Sequence, residues 1–175
     1  MATYARDVLG LKVQTSTLEA VQSDQQFDLV SMIQVVAHFP NPLQAFRVAD
    51  RITRPGGYWL IETWNSESLT ARFCGRNWHE FSPPSVLHWF SRRSLRRVLT
   101  RLGYRQVGIG TLGKWLSVGH ARSLLRHKLP NNLAGRFVNH MIGLLPATVI
   151  IPYPSEDLFW AVFQKTNRES WYPAP

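Results

Sequence analysis

One cysteine, Cys74, stands among 175 residues, which excludes an internal disulfide framework and a cysteine-based zinc site. No apolar run approaches the ~18–20 residues of a membrane-spanning helix. The longest, near Ile142–Ile151, is broken by Gly143 and Pro146. The opening MATYARD has no signal-peptide pattern, so the default expectation is a reducing, cytoplasmic location. Acid is missing over a long span. Neither Asp nor Glu occurs between Glu80 and Glu156, while that span carries arginines such as Arg92, Arg93, Arg96 and Arg97. The net charge of +9 is therefore unevenly placed. It fits a solvated basic face, or a non-catalytic module that binds RNA or an anionic membrane surface.

What is present is a globular composition, 45% hydrophobic, in a chain of single-domain length. Tyr4–Leu9 reads as the end of a helix stopped by Gly10, Leu11–Thr15 as a short strand and Leu18–Val21 as a helical turn. The run Phe27–Ile33 suits a buried parallel strand. Pro42 suits the first turn of a helix capped by Asn41, with Leu43, Phe46, Val48, Ala49 and Ile52 at helical spacing. Arg54-Pro55-Gly56-Gly57 is a stop and turn, followed by a strand over Tyr58–Thr63. The stretch Phe27–Thr63 is then one βαβ unit with a right-handed crossover. Ser91 caps a helix that ends at Gly103, with Leu95, Val98, Leu99 and Leu102 as its apolar stripe. A strand over Tyr104–Ile109, two basic amphipathic helices over Leu116–Leu129 and Leu133–Leu145, and a last strand over Leu158–Gln164 complete the pattern.

Gly108-Ile109-Gly110-Thr111-Leu112-Gly113 matches G-x-G-x-x-G. A dinucleotide site would require an acid about 20 residues further on to hold the ribose, and the acid-free span has none. These glycines are read as a loop at a strand end. His79, Glu80 and His88 match no zinc spacing, so no metal site is expected.

Phe27-Asp28-Leu29-Val30, then Gln34 to Pro42 (QVVAHFPNP), then Arg54-Pro55-Gly56-Gly57 together resemble the middle of a class I S-adenosylmethionine-dependent methyltransferase (type 11/23-like). Arg76 to Ser91, containing NWHEFSPPSVLHWF, and Pro152 to Trp160 resemble one subgroup of that family. Ala37 stands where the family usually has glutamate before the histidine. The glycine-rich cofactor loop and the ribose-binding acid of the family have no counterpart in this sequence. The resemblance thus implies an α/β fold, a partial Rossmann-like sheet with strands corresponding to 3, 4, 5, 6 and 7 of the family order 3-2-1-4-5-7-6. It also implies flanking helices and an α-helical insertion before the last strand. The domain is expected over residues 1–166, with a lid-like segment over 75–91, the insertion over 115–146 and a frayed tail over 167–175. An N-terminal truncation is expected, with an exposed sheet edge that favours self-association.

The same resemblance implies S-adenosylmethionine as cofactor and methyl transfer to a small-molecule, glycan- or lipid-like acceptor. It places Thr17 and Leu18 near adenine, and Gln34 and Val35 where the backbone meets the cofactor. His38, His79 and His88 are the candidate proton-handling groups, because imidazole titrates near neutral pH. Trp78, Glu80 and Phe81 are the candidate acceptor-facing residues, on a segment stiffened by Pro83-Pro84.

Overall fold

The apolar run Phe27–Ile33 forms strand β1 in the computed structural model. That structure describes residues 1–21, 24–119, 140–141, 144, 146–153 and 156–166. A short helix α1, Ala2–Asp7, precedes it and buries no residue. A 3-10 turn over Leu18–Ala20 follows. The expected strand at Leu11–Thr15 does not form. A strand needs a ladder partner for its backbone groups, and this segment pairs with none in the sheet.

After β1 the chain makes a 3-10 turn over Val36–His38 and enters helix α2, Pro42–Arg51. The Asn41 side chain accepts from the Gln44 amide at 3.1 Å, and Pro42 opens the helix, as the sequence indicates. Strand β2, Thr53–Trp64, returns parallel to β1. Its start is earlier than expected, because the glycine turn is absorbed into the ladder. Gly56 takes a left-handed φ of 76°, and the pairing register shifts between Phe27 and Leu29. Gly57 tolerates no side chain, since a Cβ would meet the Arg54 carbonyl oxygen at 2.9 Å. Arg54 clamps this corner to Asp28 with contacts of 2.9 and 3.1 Å.

Helices α3, Leu69–Cys74, and α4, Arg92–Arg101, lead to β3, Tyr104–Thr111. Ser91 and Ser94 form a reciprocal capping box on α4. Strand β4, Lys114–Ser117, pairs antiparallel with β5, Ile150–Tyr153, as a separate two-stranded sheet. The expected helix therefore does not start at Leu116; the insertion opens and closes as a β-ladder. The body of both predicted insertion helices, and the 167–175 tail, lie outside the described residues. Strand β6, Leu158–Lys165, enters antiparallel between β2 and β3.

The main sheet has the order β1-β2-β6-β3. Among the described residues one face is well covered. Trp59, Ile61, Phe159, Ala161 and Phe163 meet Phe46 and Ala49 of α2 and Leu95 and Leu99 of α4 in a single core. Trp59 stacks at 4.0 Å from the Tyr104 ring and 5.8 Å from Phe46. Its indole N–H donates to Thr53 Oγ1 at 2.8 Å, which in turn donates to the Ala49 carbonyl at 2.6 Å. The Tyr104 hydroxyl donates to Asp50 at 2.9 Å. Burial, then the Asp50 charge, push its ionisation well above the ordinary tyrosine range. Arg93, Arg96, Arg97 and Arg101 of α4 are exposed, away from buried Leu95 and Leu99. No described helix is long and apolar enough to cross a membrane.

Gly108 and Gly110 of the G-x-G-x-x-G pattern lie within β3 rather than in a loop at its end, and Gly110 has a packing cause. A Cβ on Gly110 would meet the Trp160 ring at 2.6 Å. Gly110→Ala is therefore expected to lower folding stability by roughly 1–3 kcal/mol through overpacking. Urea denaturation checks this; an unchanged midpoint would mean that Trp160 moves freely.

Candidate functional site

Parallel β1 and β2 end side by side, and a cavity of about 270 Å³ opens there. Its lining includes Gln34, His38, Thr63, Trp64, His79 and Glu80. Crevices beyond the carboxyl ends of strands are the usual ligand positions in open α/β sheets. Gln34 leaves β1 with φ of 54°, an unusual left-handed backbone for a non-glycine residue. Two bonds to one partner hold it so. Its amide donates to the Glu62 carbonyl at 2.9 Å, and its side chain donates to Glu62 Oε1 at 2.8 Å.

The segment 75–91 crosses both strand ends. It is tied to the loop after β1 by the Leu87 and His88 amides, which donate to the Ala37 carbonyl at 2.9 and 3.1 Å. It is tied to the end of β2 by the Ser66 amide, which donates to the Phe90 carbonyl at 2.9 Å. Pro83-Pro84 is a cis peptide bond. These ties bring His79, Glu80, Ser82, Ser85 and Val86 to the cavity wall opposite the strand tips.

His38 and the Ser85 carbonyl oxygen lie 2.5 Å apart through Nδ1. A carbonyl only accepts, so Nδ1 carries the proton, and in the neutral ring Nε2 keeps its lone pair. His79 stands edge-on to Trp64, with ring centroids 4.4 Å apart. Its Nε2 is 3.6 Å from Glu80 Oε1 and its Nδ1 is 3.9 Å from Asp157 Oδ2.

Trp78 and Phe81 do not line the cavity, contrary to expectation. Trp78 is 5% exposed, and its indole N–H donates to Asp157 Oδ2 at 3.1 Å. Phe81 stacks on Trp89 at 5.1 Å, outside the lining. Phe90 packs against the core. His88 also lies away from the lining, with its buried Nε2 lacking a hydrogen-bond partner. Thr17 is exposed and Leu18 packs against the core; neither reaches the cavity. Val35 is exposed beside Gln34 but is not part of the lining.

Asp157 is the residue that sequence reasoning missed. It sits immediately before β6, fully buried, and its backbone carbonyl accepts from the Asn65 amide at 2.6 Å. Its only signal is its place in the Pro152–Trp160 match. Its neighbour Glu156 accepts from the Thr70 and Leu69 amides at 2.6 and 3.2 Å, anchoring the start of α3. Burial works to raise the Glu156 pKa, but the hydrogen bonds from Thr70 and Leu69 and the Arg92 charge outweigh it, and the net shift is downward. No group of metal-ligating side chains occurs among the described residues.

Trp78→Phe removes the donor to a buried carboxylate oxygen. The expected loss is about 1–3 kcal/mol of folding stability. Thermal and urea unfolding check it, and a fully stable variant would argue that Trp78 is held for its aromatic surface instead.

Residues 5–108 match the family model described as a methyltransferase domain. A 50-residue stretch is 38% identical to a mitochondrial ubiquinone biosynthesis O-methyltransferase of Dictyostelium discoideum. That stretch is 29% of this chain and only 16% of the relative. Among solved structures, a S-adenosylmethionine-dependent methyltransferase of Thermotoga maritima is similar with a TM-score of 0.57 at 18% identity, over 94% of this chain and 69% of that one. Another from Methanosarcina mazei gives 0.52 at 14% identity, over 89% of this chain and 67% of that one. The order β1-β2-β6-β3, with β6 antiparallel, agrees with the 4-5-7-6 half of the expected sheet. The family match spans more than half of the chain, and the chain belongs to the methyltransferase domain family, of the class I S-adenosylmethionine-dependent fold.

Proposed function

We propose that this chain supports methyl transfer from S-adenosylmethionine to a hydroxyl of a small-molecule, glycan- or lipid-like acceptor seated in the cavity at the ends of β1 and β2. The observation that carries this is His38. Its Nδ1 is committed to the Ser85 carbonyl, which leaves Nε2 as the proton-accepting atom of a residue that lines the cavity. A base held in one tautomer beside the acceptor is what hydroxyl methylation requires, together with alignment of the nucleophile. Glu80, His79 and Thr63 supply further polar contacts from the wall. Trp78 and Phe81, which stand outside the lining, act on the acceptor indirectly by fixing the segment that carries His79 and Glu80.

The cofactor supplies a methyl on a positively charged sulfur, already activated for displacement. Gln34 and Val35 fit one wall of its site. The left-handed turn at Gln34 exposes the strand tip, and Val35 offers apolar surface beside it. Thr17 and Leu18 fit less well, because Leu18 is spent on core packing. The sequence has no glycine-rich loop ahead of β1 and no carboxylate in the ribose position, so this chain's own residues account for part of the cradle only.

Calorimetric titration with S-adenosylhomocysteine is the direct test. Micromolar binding is expected; a folded protein with no binding refutes the reading for this chain. With labelled S-adenosylmethionine and a panel of hydroxyl acceptors, His38→Gln is expected to cut kcat by roughly 10²–10⁴-fold at nearly constant KM. Equal turnover by both proteins would remove His38 from the chemistry.

Self-association is the partner proposal that goes with this fold. Among the described residues strand β1 is a sheet edge, and Leu29 and Ile33 are 56% and 46% exposed. An apolar, unpaired edge is a template for another chain. Sedimentation velocity over a concentration series is expected to show a dimer that Leu29→Lys dissociates. A monomer at every concentration overturns this.

A further inference from the structure

Helix α4 carries Arg92, Arg93, Arg96, Arg97 and Arg101 in the stretch RRSLRRVLTR, with no acid among them. Arg92 is half-buried, its guanidinium 5.7 Å from the centre of the Phe159 ring and its charge acting on Glu156. The other four are exposed. At 3.6 residues per turn they share one side of the helix, within an arc of roughly 140°. Leu95 and Leu99, on the other side, are fully buried. None of the four pairs with a carboxylate among the described residues. Asp50, the one acid of α2, which packs on the same core, is bonded to Tyr104 and Lys165.

This arrangement works against the helix. Arg93 and Arg97, and Arg97 and Arg101, are like charges four residues apart, which repel on a helix surface. Arg93 also stands in the first turn, where the positive end of the helix dipole disfavours a cation, and no acid in that turn offsets it. A face that served solubility alone would interleave both signs. The residue type is selective as well. All four are arginine, whose planar fork of donors fits a phosphate in a way the lysine ammonium does not. The exposed side offers no apolar side chain to a bilayer, since Thr100 is the residue that stands among the arginines. The apolar stripe of α4 is buried in the core. A helix that lies on a membrane keeps such a stripe free for the acyl region, whereas a nucleic-acid backbone is bound by charge alone. Arg93, Arg97 and Arg101 follow one another at about 6 Å along the axis, close to the step between successive phosphates of one strand.

We infer that the exposed side of α4 is a docking surface for the phosphate backbone of a single-stranded nucleic acid, held by Arg93, Arg96, Arg97 and Arg101. The inference stands apart from the methyl-transfer reading, because none of the four lines the cavity. The two surfaces are nonetheless close along the chain. Ser91, the cap of α4, directly follows Phe90, whose carbonyl ties the cavity-closing segment to the end of β2. A strand docked along α4 therefore has one end near the cavity wall.

Fluorescence anisotropy of a short labelled single-stranded RNA, titrated with the full chain, tests this. Micromolar binding is expected in low salt. Four phosphate contacts at about 0.7 per phosphate give a log–log salt slope of roughly 3, so affinity is expected to fall about fiftyfold between about 50 and 200 mM KCl. The double variant Arg93→Gln/Arg97→Gln is expected to bind at least about tenfold more weakly and to halve that slope. Its urea midpoint is expected to be no lower than that of the unsubstituted protein, because two repulsions are removed. Arg6→Gln/Arg72→Gln removes the same charge from exposed positions outside α4 and is expected to leave affinity and slope unchanged. Absence of RNA binding in low salt overturns the inference. Equal weakening by the two double variants also overturns it, since that marks diffuse attraction by net charge. Co-sedimentation with phosphatidylserine vesicles, abolished by Arg93→Gln/Arg97→Gln in a protein that does not bind the RNA, overturns it in favour of a membrane surface.

Discussion

The parallel ladder between β1 and β2 is the constraint on which the site depends. A parallel pair joined by a helical crossover ends both strands at the same edge of the sheet. Ile33 opposite Glu62 is the last rung. One residue further, Gln34 turns into left-handed backbone and locks onto that same Glu62. The loop that follows offers the Ala37 carbonyl, and this single oxygen receives two amides from the segment that closes the cavity. The wall bearing His79 and Glu80 is thus hung from the strand ends by backbone hydrogen bonds, which are insensitive to the side chains they carry.

The covered face of the sheet makes that geometry rigid. An aromatic series from Phe39 through Phe46 and Trp59 to Tyr104 runs through the core. Its polar atoms find partners in Thr53 and Asp50. The opposite face is less finished, with Leu29, Ile33 and Tyr58 open to solvent. The described residues therefore combine a well-specified core with an unpaired edge strand, and the site stands near their junction at the tips of β1 and β2.

Much of the fold was legible in local chemistry. The limits of β1 follow from an apolar run bounded by polar residues. The start of α2 follows from Asn41 and Pro42, and that of α4 from Ser91. Failures came where a segment's fate hangs on a distant partner. Leu11–Thr15 has strand composition but no neighbour to pair with. Leu116 has helical spacing, yet Lys114–Ser117 finds a ladder with Ile150–Tyr153. The glycines at 108 and 110 looked like a nucleotide loop in pattern alone. The glycine at 110 is required by one indole ring, Trp160, which approaches from a strand fifty residues later in the chain.

For the site, the sequence by itself determined which chemistry was at hand: an imidazole at 38 after the first strand, and imidazoles at 79 and 88 with a carboxylate at 80 on a proline-stiffened segment beyond the βαβ unit. Tertiary structure alone decided which of them meet. It brought His38 and His79 to one cavity and left His88 and Phe81 outside it. It sank Trp78 into the interior and set the buried carboxylate of Asp157 between Trp78 and His79. The reason is physical. Residue type and spacing govern local conformation, whereas the approach of Asp157 to Trp78 spans 79 positions of sequence and depends on β6 docking antiparallel against β2.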